Sequence, residues 1–227
     1  MSGANEKRII GAMGALFHDR LDAGRQLAAA CESTQFGDAV VVGLARGGVP
    51  VAAEVARCLS LPFDALAVRK IGYPWQPEYG IGAVTPGRGG VYIRSHEDLG
   101  ESELRRAIDQ ALAKADALDQ ILHERHQPLD LHGKAALLVD DGLATGATMV
   151  AAVRWARNHG AMRVVVAVPV GAIQSVRLLR QEADEIVCPH AQASFGAVGY
   201  WYDVFTQVEN EEVVALLDEL RTRAPTL

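Results

Sequence analysis

The sequence predicts an α/β protein with a mostly parallel sheet and helices on both of its faces. Three observations predict it. Short apolar runs alternate with segments of helical periodicity along most of the chain. The runs AVVVGLA and KAALLV lack the polar alternation of a half-solvated strand, so they read as strands covered on both sides. Each run leads straight into a glycine turn that opens a helix: ARGG after the first and DDGLATGAT after the second. The chain has 227 residues, enough for one substantial core and short for two, so 1–227 reads as a single domain.

The elements follow in order. The first dozen residues carry no clear pattern. Phe17 to Ala30 spaces Phe17, Leu21, Gly24 and Leu27 at helical intervals. Asp38 precedes the AVVVGLA strand, Arg46-Gly47-Gly48 is a turn, and Val49 to Leu59 reads as a helix with Pro50 tolerated in its first turn. Phe63 to Val68 is a second strand. The stretch RKIGYPWQPEYG, dense in Gly, Pro and aromatics, reads as a long excursion. Gly80 to Thr85 and Val91 to Arg94 are two short strands joined by PGRGG. Glu101 to Glu124 is the clearest helix, with Leu104, Ile108, Ala111, Leu112, Ala115, Leu118 and Leu122 on one face and Pro128 beyond its end. Lys134 to Val139 is a buried strand. Met149 to His159 is a helix closed by Gly160. Arg163 to Val168 is a strand, Ile173 to Gln181 a helix and Glu185 to Cys188 a short strand. The tail holds FGAVGYWYDVF and an acidic amphipathic helix, Glu209 to Leu220.

Composition excludes several classes. Apolar residues make up 49% of the chain and charged residues 22%, ordinary for a globular protein. A net charge of −6 argues against a nucleic-acid polymer as partner, which calls for a basic stripe. Cys31, Cys58 and Cys188 form no CxxC pair, so neither a zinc site nor a disulfide framework is expected, and a reducing cytoplasm fits. The start shows no signal-peptide pattern and no segment reaches the roughly 20 apolar residues of a membrane span. His123 and His126 lie three apart near a helix end with His132 beyond. That spacing permits a metal, but no fixed carboxylate or Cys completes a set, so they read as solvated groups favoured by the helix dipole.

In a parallel sheet flanked by helices, ligands bind outside the carboxyl ends of the strands, where both glycine turns fall. In the second turn, Gly142 and Gly146 let a ligand approach closely and let backbone N–H groups converge on an anion. Thr145 and Thr148 add hydroxyls. The helix opening near Ala147 adds unpaired N–H groups and a positive dipole end. Together these suit a phosphate. Asp140 and Asp141 directly before such a nest would repel phosphate alone. They make sense as acceptors for a neighbouring vicinal diol, or as help in holding a divalent cation. A sugar phosphate has both parts. No Lys follows Gly146, so the turn is not a P-loop, and GxGxxG is absent from it. The bland alternative is an acidic turn capping a helix.

An apolar strand followed by two acids and GxxTGxT resembles the phosphoribosyl diphosphate (PRPP) signature of type I phosphoribosyltransferases. VVGLARGGVPVAAEVA resembles that family's pyrophosphate loop, and RKIGYPWQPEYGIGAV stands where the family has its flexible catalytic loop. The resemblance runs over roughly residues 15 to 210. It implies a Rossmann-like fold with a small hood and a flexible loop, the latter at 69–95. It implies Mg²⁺-dependent transfer of a phosphoribosyl group from PRPP to a nitrogen acceptor, a nucleobase for instance, with release of pyrophosphate and inversion at C1. Such an activity belongs to nucleotide and nucleoside metabolism.

By the same resemblance, Asp140 and Asp141 hold the ribose and, through PRPP or water, the metal. Gly142, Leu143, Ala144, Thr145, Gly146, Ala147 and Thr148 complete the ribose and 5-phosphate site. Ala45, Arg46, Gly47 and Gly48 bind pyrophosphate, with a cis Ala45–Arg46 peptide. Arg69 and Lys70 serve the transition state; the bland reading is a solvated pair. Glu78 is a hinge contact or a metal-side acid. The hood is either the aromatic stretch within 189–208, with Phe195, Tyr200, Trp201, Tyr202 and Asp203, or the N-terminal helix around Phe17 to Arg20. Family members are often dimers, so a homodimer is an expectation. The rival reading is a protein that senses PRPP or a nucleotide without turnover.

Overall fold

The computed structural model describes residues 15–73, 75–94 and 99–222. Among them, six helices and ten strands follow in chain order: α1 (Arg20–Cys31), β1 (Ala39–Ala45), α2 (Gly48–Leu59), β2 (Phe63–Ala67), β3 (Arg69–Tyr73), β4 (Gln76–Val84), β5 (Val91–Ile93), α3 (Glu101–Leu122), β6 (Ala135–Val139), α4 (Ala147–Asn158), β7 (Arg163–Ala167), β8 (Val170–Ala172), α5 (Ile173–Leu179), β9 (Glu185–Val187), β10 (His190–Gln192) and α6 (Asn210–Thr222).

The central sheet is parallel throughout, in the order β2–β1–β6–β7–β9. Its side chains alternate between two cores, which is why its strands are continuously apolar. Val41, Leu137, Val139 and Val165 face a core shared with α1, α2, the end of α3 and α6. Val40, Val42, Leu138 and Val164 face a second core under α4 and α5. The register aligns Ala45 of β1 with Ala67 of β2, and Gly43 with Val139 of β6. The residues after these strands therefore leave from one edge of the sheet.

Three local departures from the sequence pattern have physical causes. α1 begins at Arg20, not at Phe17, because Asp19 caps it by accepting from the Asp22 N–H at 2.8 Å. The preceding residues are non-helical, with Phe17 in an isolated bridge to Tyr202. Leu16 and Phe17 donate to the Trp201 carbonyl, and Asp203 and Val204 donate back to the Phe17 and His18 carbonyls. The stretch read as an excursion builds strands. β3 and β4 pair antiparallel with β5 beside β4, and Ile71, Ile81 and Val84 are buried against Ala107 and Ala111 of α3. Finally, β8 and β10 form a two-stranded parallel sheet that the sequence pattern did not single out.

His123 is not a solvated group. It caps α3 between Asp119 and Asp64, each ring nitrogen 3.1 Å from a carboxylate oxygen, with the side chain 9% exposed. Asp64 also accepts from the Leu129 N–H at 2.7 Å and lies 2.7 Å from Arg221 of α6. Burial works against a charged His123, but the hydrogen bonds and charges of Asp119 and Asp64 outweigh it and raise its pKa to about 9. His126 pairs with Asp218 at 2.7 Å.

Candidate functional site

The turn after β1 and the loop after β6 meet at the carboxyl edge. The Ala45–Arg46 peptide is cis. The two glycines that follow lie directly against the acid pair. A side chain on Gly47 would collide with the Asp141 carboxylate, and one on Gly48 would stand 2.7 Å from the Asp140 Cα. At Gly48 the close neighbours are the backbone of Val139 and Asp140, whereas at Gly47 they are the Asp141 carboxylate and the Arg20 guanidinium, so both positions favour glycine. Arg46 itself pairs with Glu209 at 3.0 Å.

Within the loop, the Asp141 N–H donates to Asp140 Oδ1 at 2.9 Å. Leu143 is stitched to β8: its N–H donates to the Val170 carbonyl at 3.0 Å and its carbonyl accepts from the Ala172 N–H at 2.8 Å. Ser175 Oγ donates to the Ala144 carbonyl at 2.5 Å. Gly142 lies against Val198. Gly146 takes φ +79°, which turns the chain into α4 at Ala147, and no side chain among the described residues caps that helix start. The N–H groups of Ala147, Thr148 and Met149 have no partner within the helix and are available to an anion. Thr145 is exposed and Thr148 half-buried at its mouth.

The electrostatics are those of two acids forced together. Burial pushes both carboxyls up, and the adjacent Asp141 charge pushes Asp140 well above the usual carboxylate range. Arg20 and Lys70 pull both back. The Lys70 charge is thus felt by the acid pair, while burial and the like charge of Arg46 lower the Arg69 pKa. Both residues open β3, immediately after β2. The Glu78 backbone belongs to β4, and its side chain lies outside the described residues.

The two candidate covers form a single structure. Phe17 bridges to Tyr202, and their rings lie 5.2 Å apart. The Tyr202 hydroxyl donates to the Asp141 carbonyl at 2.6 Å. Arg20 donates from Nε to Asp141 Oδ2 at 2.9 Å, and its Nη2 lies 2.9 Å from the same oxygen. Its Nη1 donates to the Thr206 carbonyl at 2.7 Å, and its guanidinium carbon sits 3.9 Å over the Phe205 ring. Sequence reading placed Arg20 and Tyr202 only in alternative covers and did not name Ser175. No local pattern ties any of the three to the loop, because their partners are remote in sequence.

A cavity of about 680 Å³ lies elsewhere, beside the amino half of β2, lined by Asp64, Asp116, Asp119, His123 and Trp155 among others. Its acids are taken internally, with Asp116 accepting from the Gly87 N–H and Asp64 and Asp119 holding His123. The chemistry therefore points to the carboxyl edge. Among the described residues, no group of three or more His, Cys, Asp or Glu is arranged to hold a metal ion by itself. No helix among them is long and apolar enough to cross a membrane.

The chain is similar to known proteins in sequence and in fold. Two Mycobacterium tuberculosis proteins, from strains CDC 1551 and H37Rv, are each provisionally named a phosphoribosyl transferase. Both are 45% identical over 208 residues, 89% of this chain and 46% of theirs. The chain therefore spans about half the length of the curated relatives it matches. The crystal structure of TT1426 from Thermus thermophilus is 38% identical, covers 90% of this chain and 98% of its own, and has a TM-score of 0.76. A family model described as the phosphoribosyl transferase domain matches residues 15–203, which include the whole central sheet and both glycine turns. The chain belongs to the phosphoribosyl transferase domain family.

Proposed function

We propose that the chain binds Mg²⁺–PRPP and transfers its phosphoribosyl group to a nitrogen of a small acceptor, releasing pyrophosphate. The observation that carries this reading is the contact of the Gly47–Gly48 turn with Asp140 and Asp141 at the sheet edge that also presents the uncapped start of α4. A sugar carrying phosphate at one end and pyrophosphate at the other matches that order of groups. Ala144 to Thr148 take the 5-phosphate on backbone N–H groups and hydroxyls. Asp140 and Asp141 accept from the ribose hydroxyls. Arg46 to Gly48 take the pyrophosphate.

As the bond from C1 to the pyrophosphate oxygen breaks, its electron pair leaves with the pyrophosphate and the sugar gains oxocarbenium character. The acceptor nitrogen then closes on C1 from the opposite face. Arg69 and Lys70, at the start of β3, meet the charge that builds, so catalysis is mainly electrostatic. No side chain is assigned as general base; the acceptor supplies its own anionic nitrogen. Asp140 and Asp141 fit a Mg²⁺ held through PRPP or water, being adjacent hard-oxygen donors whose charge Arg20 and Lys70 only partly offset. Bound there, the ion supplies charge neutralisation on the leaving group. The segment 198–206, with Tyr200 and Phe205 partly exposed, covers the acceptor side and offers aromatic surface to a planar ring.

The test is pyrophosphate release with PRPP, Mg²⁺ and a panel of nucleobases, orotate and related nitrogen heterocycles. The proposal expects acceptor-dependent release. PRPP binding without release across the panel would establish the sensor reading instead.

A further inference from the structure

We propose that Arg20 is a positioning residue for this site, acting through Asp141 and fastening the cover of the acceptor side onto the ribose-binding acid. The inference rests on the PRPP reading above and adds a residue to it. Arg20 is the first residue of α1, yet its side chain joins three parts of the molecule. Two of its nitrogens lie 2.9 Å from Asp141 Oδ2 in the loop after β6. A third donates to the Thr206 carbonyl at 2.7 Å, and the guanidinium carbon lies 3.9 Å over the Phe205 ring. The side chains of Arg20 and Asp141 are only 11% and 12% exposed. This is therefore not a surface ion pair of the kind that contributes little.

The geometry explains why an arginine stands here. A planar fork can place two donors on one carboxylate oxygen, a third on a carbonyl and its face on an aromatic ring at the same time; an ammonium cannot. It also explains what the contact does. Asp141 is wedged between Asp140, whose charge repels it, and the Gly47 backbone, where no side chain fits. A fixed cation on Oδ2 offsets that repulsion and sets the carboxylate's direction. The same guanidinium holds residues 205–206, so the cover and the acid share one anchor. Tyr202, donating to the Asp141 carbonyl, ties the cover to the same residue a second time.

A double-mutant cycle on PRPP affinity tests this, with the substitutions Arg20→Met and Asp141→Asn made singly and together. Arg20→Met should weaken PRPP binding by about tenfold, the loss expected for a charge-assisted hydrogen-bonding partner. In the Asp141→Asn background it should add little, because its effect passes through that carboxylate. Trp201 supplies a second readout in a background carrying Trp75→Phe and Trp155→Phe. PRPP should change Trp201 fluorescence when Arg20 is present and not in Arg20→Met. Arg20→Lys should restore affinity only in part. If Arg20→Met fails to fold, Arg20→Lys and Arg20→Gln carry the same cycle. Unchanged affinity, or additive losses with Asp141→Asn, would overturn the positioning role while leaving the PRPP reading intact. Absence of PRPP binding in the unsubstituted chain would overturn both.

Discussion

Asp140 and Asp141 show how far single residues can be read from a sequence. Their adjacency to a glycine loop is local, so the argument from repulsion to a diol ligand needed no structure, and the structure places both against the Gly47–Gly48 backbone. The residues that hold them in place were not legible. Tyr202 reaches the Asp141 carbonyl across 61 positions and Arg20 reaches its carboxylate across 121. Either could equally have been the aromatic or the cation of an ordinary surface. Tyr202 is 5% exposed, and burial followed by the nearby Asp141 charge keeps its phenol protonated, so it remains a donor. Tyr202→Phe leaves a buried carbonyl without that donor. It should cost about 1–3 kcal/mol in chemical denaturation and weaken PRPP binding as well. A fully stable variant with unchanged affinity would show that this hydrogen bond is idle.

At the scale of elements, helices with a long apolar face and strands covered on both sides were the most legible. α2, α3, β1 and β6 fall within two residues of their sequence-predicted limits. Elements defined by partners elsewhere were less so. The start of α1 depends on a strand-like contact with residues 201–204, and the β3–β4 pair depends on burial against α3, so a Gly- and Pro-rich composition reads as a loop. The end of α3 is a similar case. His123 looks like a solvated group until Asp64, from β2, is beside it. This contact makes stability depend on pH. His123 has its pKa raised from 6.5 to about 9 by Asp119 and Asp64 against the effect of burial. Its contribution is therefore complete below 6.5 and is lost as pH rises through about 9. Asp64 has its pKa lowered, the bond from His123 and the charge of Arg221 overcoming burial, so its contribution is present above its unfolded value and is lost in strong acid. Urea denaturation at intervals from pH 6 to 10 should show stability falling over the upper part of that range. In His123→Gln the fall should flatten and stability at pH 6 should drop by about 3 kcal/mol, the usual cost of breaking a buried pair. An unaltered alkaline slope in the variant would assign the fall to other groups.

For the whole molecule, one parallel sheet with a reversal of strand order around β1 and β6 brings two short turns, about a hundred residues apart in sequence, to a single edge. The parallel sheet and the placing of both turns on its carboxyl edge were legible from the alternation of strands and helices; the strand order and its reversal were not, because alternation does not fix which strands pair. The acceptor was not legible either, because the candidate cover is assembled from segments near the two ends of the chain, residues 16–20 and 198–206, whose side chains share no local motif. The central claim is that this edge is a PRPP site built on Asp140 and Asp141. Calorimetric titration with Mg²⁺–PRPP tests it most directly, comparing the unsubstituted chain with one carrying Asp140→Asn and Asp141→Asn. Saturable binding to the first, weakened by at least about a hundredfold in a second chain that still folds, is the predicted result for two lost charge-assisted acceptors. Equal affinity in the two chains, or no binding to either, would contradict it.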